Sequence, residues 1–434
     1  MYGSAKRALT AAGLALATLA AAQTGAVAEA PKDVAIGTRL AARTDPAVRL
    51  ILLAYEAKVV VPSPGTTKAF KALAAKAEAH AKAGRIPADR RSRLKWVLRT
   101  ASANVGRYLA PAGPDRVLPG FGGGVCTGWW ITPDGYMVTG SHCVATPKAT
   151  LRAEMAATVL PKVNEADVAA FLKSIRTRVQ PDDELVGLAT RLFTAFNART
   201  VRLKGVKRSF SVLSVPPGGK QKITYTPISL VAKGSDYPGE DFALLRLKGA
   251  RNLPTLSLGQ DVDVRVGDVL YINGFPGLVT GNPNFDDRSK LYPSLTEGAF
   301  NARRTTVAGV PMIQAQTPSY KGNSGGPVLN AEGKVIGTVI AKYVDDSVGG
   351  LAENTSLILP VSVIRKRLAA ARVKPVRSET TRLYDSALND FFADRHRAAL
   401  PKFRKVRELY PAHPYVAAYL ADSRKAVAAG KSKP

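Results

Sequence analysis

With 434 residues the chain has room for two or three domains, and its 46% hydrophobic content is that of an ordinary globular protein. The formal net charge of +29 invites a nucleic-acid hypothesis, but the cations are spread along the whole chain. None of their short clusters, at 90–93, 202–208 and 402–407, has interleaved aromatic residues on a strand or a recognisable reading helix. We therefore expect no specific nucleic-acid binding, and a solvated cationic surface that favours anionic envelopes or acidic substrates.

Residues 1–28 have the pattern of a signal peptide. Lys6 and Arg7 give a basic start, an apolar run covers residues 8–22, and residues 26–28 are small, as cleavage requires. The apolar run is too short and too rich in alanine to be a convincing membrane span. We expect a secreted or periplasmic protein without a membrane span after cleavage, an uncleaved anchor being the alternative.

Residues 31–115 are predicted to be a helical region. Asp45-Pro46 is a start signal before a first apolar helical pattern, Thr67 caps a second helix that ends near Gly84, and a third covers residues 94–108. The pattern leaves open whether this region is a pro-segment, a partner-binding module or packing for the rest of the chain.

A link rich in proline and glycine, residues 111–124, is predicted to lead into a strand, a turn and a second strand. Pro133-Asp134-Gly135 is the turn signal between two apolar runs. His142 follows the second run, where its side chain is able to project into a cleft and act as a base.

Two later segments complete a possible catalytic set. Asp241 stands just before an apolar strand, and a buried acid there would orient a histidine and stabilise its imidazolium form. Ser324 lies in the glycine turn of residues 322–327, where the N–H groups of Gly322 and Ser324 are able to point at one developing oxyanion. A serine needs a base beside it, and His142 is the only histidine between residues 116 and 372.

These three segments, in this order, resemble the trypsin-like serine proteases of the chymotrypsin clan, most closely the HtrA branch of bacterial exported proteases. The resemblance covers roughly residues 116–372 and implies a mainly β fold, a double β-barrel with helical flanks. It implies Ser324 as nucleophile, His142 as general base and then acid, and Asp241 as orienter. The oxyanion hole would be formed by the amides of Gly322 and Ser324.

The two cysteines, Cys126 and Cys143, flank the predicted turn before His142. Many proteases of the clan have a disulfide at the matching place, although members of the HtrA branch generally lack it. An oxidising compartment favours the bonded pair; two buried free thiols are the alternative. Two cysteines and one local histidine provide no plausible zinc site, and we expect no metal and no cofactor.

The chain departs from the family pattern in two places. The interval between His142 and Asp241 is several tens of residues too long, which predicts a helical insertion at about residues 150–210, either a functional lid or a surface decoration. Residues 373–434 do not resemble the PDZ domain usual in the branch. Their helical spacing weakly resembles one tetratricopeptide-type hairpin; helices that simply pack against the barrel are the alternative.

The predicted function is that of an exported serine endopeptidase acting on proteins or peptides through an acyl-enzyme. The alternative is a catalytically silent, protease-like binding or chaperone protein of the cell envelope. Because Pro318 occupies the position that carries an acid in enzymes cleaving after Arg or Lys, small or medium apolar residues are the expected preference. The helical flanks are a possible surface for a protein partner, and the sequence leaves the oligomeric state open.

Overall fold

The computed structural model describes residues 34–214, 223–345 and 350–434, so the predicted signal peptide lies outside the described residues. The strands are β1 (Val48–Thr66), β2 (Leu109–Trp130), β3 (Tyr136–Thr139), β4 (Arg202–Ser214), β5 (Thr224–Pro227), β6 (Ser229–Lys233), β7 (Ala243–Arg246), β8 (Val269–Gly274), β9 (Ser294–Thr305), β10 (Pro311–Gln316), β11 (Pro327–Leu329), β12 (Val335–Asp345) and β13 (Gly350–Pro360). The helices are α1 (Ile36–Thr44), α2 (Lys68–Lys82), α3 (Arg90–Ala103), α4 (Val105–Tyr108), α5 (Lys148–Ile175), α6 (Asp183–Thr200), α7 (Gly277–Thr280), α8 (Val361–Ala370), α9 (Glu379–Phe392), α10 (His396–Leu409) and α11 (Val416–Ala428).

The strands form two β lobes. In the first lobe the hydrogen-bonded order is β5-β4-β1-β2-β3-β7-β6, a seven-stranded sheet in the described residues. In the second lobe β10-β13-β12-β11-β8-β9 closes into a barrel. Helix α1 precedes the first lobe, α2 to α4 lie between β1 and β2, α5 and α6 lie between β3 and β4, and α8 to α11 follow the barrel. The predicted mainly β class with helical flanks and a helical insertion is confirmed.

The helix predicted to follow Asp45-Pro46 is wrong, because residues 48–66 form strand β1. Alternate residues of this strand, Ile51, Leu53, Tyr55, Ala57, Val59 and Val61, are buried in one apolar cluster with α5. That burial has the period of two that a strand requires. The same apolar residues also fit a helical spacing, which is why the predicted period was wrong. Strand β1 lies in the interior of the sheet, between β2 and β4.

The predicted link at residues 111–124 is also wrong, because it belongs to β2. This strand pairs with β1 from Leu109, opposite Thr66, to Trp129, opposite Val48. Its glycines allow close packing: a Cβ added at Gly120 would lie 2.5 Å from Val59 Cγ2 and 3.2 Å from Met155 Sδ of α5. The segment that its composition indicated as a link is a strand that needs glycine beneath a helix.

The predicted N-terminal helices and the insertion pack together as one helical module, composed of α2, α3, α5 and α6. They share an apolar cluster whose buried members include Leu73, Leu98, Leu188, Leu192 and Phe196. The Thr67 cap of α2 is observed, since its hydroxyl accepts a hydrogen bond from Phe70 N at 3.3 Å. The helical part of the insertion ends at Thr200, and residues 202–214 form β4 instead of belonging to the insertion.

The C-terminal region continues from α8 into α9, α10 and α11, which enclose their own apolar cluster around Tyr384, Leu388, Phe403 and Leu420. This unit is fastened to the lobes: Thr255 N donates to Thr381 Oγ1 at 2.8 Å, among other bonds. No helix in the described residues is both long and apolar enough to cross a membrane.

Candidate active site

His142 and Asp241 are joined by two hydrogen bonds in the first lobe. The backbone N–H of His142 donates to Asp241 Oδ1 at 3.0 Å, and His142 Nδ1 lies 2.7 Å from Oδ2. The Asp241 carboxylate is 1% exposed, whereas the imidazole is 35% exposed. A buried carboxylate therefore fixes the orientation of a ring whose other edge is accessible, as a general base requires.

The turn that carries His142 is held from its other side by Asp236. Ser141 Oγ donates to Asp236 Oδ1 at 2.6 Å, and Lys233 Nζ lies 3.1 Å from the same oxygen. Burial opposes ionisation, but the Ser141 hydroxyl and the Lys233 ammonium hold the pKa of Asp236 below its usual value. Sequence reasoning missed this contact, because its partners are far apart in the chain and have no motif.

Ser324 comes from the second lobe, in the loop between β10 and β11, and lies beside the His142 turn. Its carbonyl accepts from Thr127 N at 2.9 Å and lies 3.5 Å from Cys143 Sγ, which is 3.7 Å from His142 Nε2. Within the described residues the Ser324 hydroxyl makes no hydrogen bond. The structure thus brings Ser324 next to His142 without joining the two side chains, a spacing that substrate-free active sites often show.

The backbone around Ser324 depends on two glycines. Gly325 has φ +83°, and a Cβ there would lie 2.2 Å from Thr139 Oγ1 and 2.3 Å from Thr127 O. Gly322 has φ +106° in a turn closed by the bond from Asn323 N to Tyr320 O, at 2.9 Å. Neither position accommodates a side chain, so the glycine turn is required by packing as well as by chemistry.

The amides of Gly322 and Ser324 are free to act as donors. The carbonyl of Lys321 accepts from Gly277 N at 2.6 Å, so the Gly322 N–H across the same planar peptide points the opposite way. In the part of the chain that the structure describes, neither amide donates to another protein group. Both amides are therefore available to donate to a developing oxyanion.

Thr127 of β2, in the first lobe, binds two loops of the second lobe by hydrogen bonds. Sequence reasoning missed this residue. This fully buried residue donates through its hydroxyl to Gly322 O at 2.8 Å and accepts from Phe275 N at 3.0 Å. Its position directly after Cys126 is the only signal that the sequence contains.

Cys126 of β2 and Cys143 form a disulfide with a Cα–Cα distance of 5.8 Å. The two sulfurs and a ring nitrogen of His142 lie within 4.8 Å of one another, the spacing of a metal site. Bonded sulfurs are not thiolates, however, so this cluster does not provide the ligands that zinc needs.

Reduction of this disulfide should lower the free energy of unfolding by about 3 kcal/mol, because the intact bond closes a short loop and so restricts the unfolded chain. We expect the melting temperature to fall as dithiothreitol is added. A double variant, Cys126→Ser with Cys143→Ser, should show the same loss and no further response to dithiothreitol. An unchanged melting temperature in the reduced protein would contradict the prediction.

The walls before the nucleophile are neutral. Pro318 O accepts from Thr296 Oγ1 at 2.8 Å, and Ser356 Oγ lies 2.7 Å from both Ser319 Oγ and Thr317 O. The hydroxyls of Ser319 and Ser356 bond each other, and among the described residues none of these contacts involves a carboxylate that would pair with a basic substrate side chain.

Comparison with known proteins agrees with this geometry. Residues 126–337 match the family model of the trypsin-like peptidase domain. Over this segment the chain is similar to the trypsin-like peptidase family. Its predicted resemblance to trypsin-like proteases of the HtrA branch is confirmed.

Relatives of the trypsin-like peptidase domain include proteins named as serine proteases of the HtrA branch. A probable periplasmic serine endoprotease, DegP-like, from Pseudomonas putida (strain F1) is 34% identical over 133 residues, which are 30% of this chain and 24% of the relative. Mitochondrial serine protease HTRA2 from Bos taurus is 34% identical over 107 residues, 23% of this chain and 21% of the relative. The chain thus spans about a quarter of the length of these relatives.

Among solved structures, the HtrA-type protease AlgW with a tripeptide is similar at 16% identity and a TM-score of 0.37, covering 77% of this chain and 62% of that one.

Proposed function

We propose that this chain is an exported serine endopeptidase that hydrolyses peptide bonds through Ser324, His142 and Asp241. The observation that carries the proposal is the pair of hydrogen bonds from His142 to the buried Asp241, beside Ser324. A ring held in this way has Nδ1 as its donor, which leaves Nε2 as the acceptor for a proton.

In the proposed mechanism His142 Nε2 takes the hydroxyl proton of Ser324 while Ser324 Oγ attacks the peptide carbonyl carbon. The carbonyl oxygen becomes an oxyanion, and the N–H groups of Gly322 and Ser324 stabilise it. His142 then gives its proton to the leaving amine and the acyl-enzyme forms. Water, deprotonated by His142, attacks the ester and releases the acid product, which restores Ser324.

A protease-like binding or chaperone protein is the second candidate. It is favoured by the absence, within the described residues, of a hydrogen bond from the Ser324 hydroxyl. Such a protein would bind peptide in the cleft between the lobes without activating the serine.

The experiment that separates the two candidates is labelling by a fluorescent fluorophosphonate, which reacts with an activated serine. The full-length protein should be labelled, and Ser324→Ala should lose the label completely. Ser174→Ala, in the insertion, removes an exposed hydroxyl and should keep it. Absence of labelling in the folded wild-type protein would favour the binding protein.

We also propose that the protein is located outside the cytoplasm. This location is supported by the basic and apolar pattern of residues 1–28, by the disulfide, and by the word periplasmic in the names of bacterial relatives. Its substrates would be proteins or peptides that reach this compartment.

We also propose that the enzyme cleaves after small or medium apolar residues rather than after Arg or Lys. The neutral contacts of Thr317, Ser319 and Ser356 support this preference, since a basic side chain would find no opposite charge among them. A peptide library should therefore yield products ending mostly in apolar residues. Products ending mainly in Arg or Lys would overturn the preference and leave the proposed mechanism intact.

A further inference from the structure

Glu240, the residue directly before Asp241, forms ion pairs with two cations of α8. Its Oε1 lies 3.0 Å from Lys366 Nζ, and its Oε2 contacts Arg367 Nε. The Glu240 side chain is only 17% exposed, and that of Arg367 is 34% exposed, whereas Lys366 is 73% exposed. The contact with Arg367 is therefore the better shielded of the two and less weakened by solvent.

Helix α8 is itself fixed to the second lobe. Val363, Ile364 and Leu368 are buried in an apolar cluster that also contains Val335, Ile340 and Leu359 of the barrel. Arg365 Nη2 donates to Gly259 O at 2.8 Å. Because Glu240 belongs to the first lobe, its ion pairs with α8 join the two lobes at the residue next to the proposed catalytic acid.

The backbone of residues 240–242 is tight on both sides of Asp241. Phe242 N donates to Glu240 O at 2.7 Å, which makes Asp241 the middle residue of a three-residue turn. A Cβ added at Gly234 would lie 2.1 Å from Glu240 O, so this carbonyl is packed directly against the neighbouring backbone. A shift of Glu240 would therefore move Asp241, whose two oxygens both bind His142.

We propose that Arg367, assisted by Lys366, is a positioning residue whose ion pair with Glu240 holds Asp241 in place against His142. This inference rests on the proposed function. Arg367 touches neither the reacting atoms nor the imidazole; it acts through Glu240 and the turn at Asp241. Lys366 and Arg367 also offset the negative charge of Glu240, which would otherwise repel the neighbouring carboxylate of Asp241.

The electrostatics of Glu240 agree with a tight pair. Burial opposes ionisation, yet Lys366 and Arg367 hold its pKa below the usual value. Glu240 therefore remains charged at neutral pH, and loss of Arg367 would leave a largely buried carboxylate with one solvent-exposed partner.

The test uses the full chain and the rate of fluorophosphonate labelling, which needs no assumption about peptide preference. Arg367→Ala should lower the labelling rate at saturation about tenfold, while the half-saturating concentration changes by less than about twofold. Arg367→Lys, which keeps the charge, should recover most of the rate. Lys374→Ala is the matched control, because it removes an exposed cation just beyond α8 that, in the part of the chain the structure describes, forms no ion pair with Glu240.

Each outcome decides one claim. If the wild-type protein is not labelled, the proposed function has failed. If the wild-type protein is labelled and Arg367→Ala is folded with a wild-type rate, the positioning role is overturned. A change confined to the half-saturating concentration would also overturn it. Should Arg367→Ala fail to fold, Glu240→Gln tests the same pair from the other lobe, with the same loss of rate expected.

Discussion

Replacing Asp241 by asparagine should lower turnover by about 10⁴-fold and leave substrate binding almost unchanged. The carboxylate accepts from both the backbone N–H and Nδ1 of His142. An amide would present an N–H to the ring, so His142 would adopt the tautomer that has no acceptor facing Ser324. The imidazolium formed in the reaction would also lose its buried counter-charge.

Steady-state kinetics with a peptide substrate would measure the effect as kcat against KM. Asp134→Asn is the matched control: Asp134 lies in the turn before β3, its side chain is 53% exposed, and it pairs with Arg246. We expect this variant to retain the wild-type kcat. A near-normal kcat in Asp241→Asn would mean that another acid orients His142.

Removal of residues 34–115 should abolish folding of the whole first lobe. This deletion removes β1, which lies between β2 and β4. It leaves the facing edges of β2 and β4 without a hydrogen-bonding partner. It also removes α2 and α3, which share an apolar core with the insertion helices α5 and α6. The loss of these contacts should cost more than the roughly 5–15 kcal/mol that is the usual free energy of unfolding of a native domain.

Circular dichroism and size-exclusion chromatography would measure the result. A chain beginning at residue 116 should be unfolded or aggregated, and a chain beginning at residue 34 should show the cooperative thermal transition of the full protein. A folded, labelled protein beginning at residue 116 would contradict the prediction and would restore the possibility that the whole region is a removable pro-segment.

Much of the proposed site could be predicted from the sequence, because its chemistry resides in short segments. The glycines at 322 and 325 are demanded by backbone geometry, and such demands are visible in a single chain. His142 follows an apolar strand and Asp241 precedes one, so their positions at strand ends could be inferred. The structure brings these residues together as the resemblance implied, and their roles remain to be tested.

The rest depended on long-range contacts that local patterns do not contain. The apolar residues of β1 fit a helical spacing and an alternating one, and only the partners β2 and β4 decide between them. The glycines of β2 indicated a link because the helix that covers them, α5, is distant in the sequence. The ion pair between Glu240 and Arg367 likewise joins residues from different lobes.

The position of β1 has a consequence for the order in which the chain folds. Ile51 pairs with Val212, so one edge of β1 stays open until the long insertion and β4 have been made. A polypeptide that emerges from its amino terminus can pair β1 with β2, but it must leave the other edge of this apolar strand open until residues 202–214 have been made. Contacts of this sequence separation slow folding and expose surfaces that aggregate. We expect the nascent protein to depend on chaperones more strongly than one whose lobes pair locally.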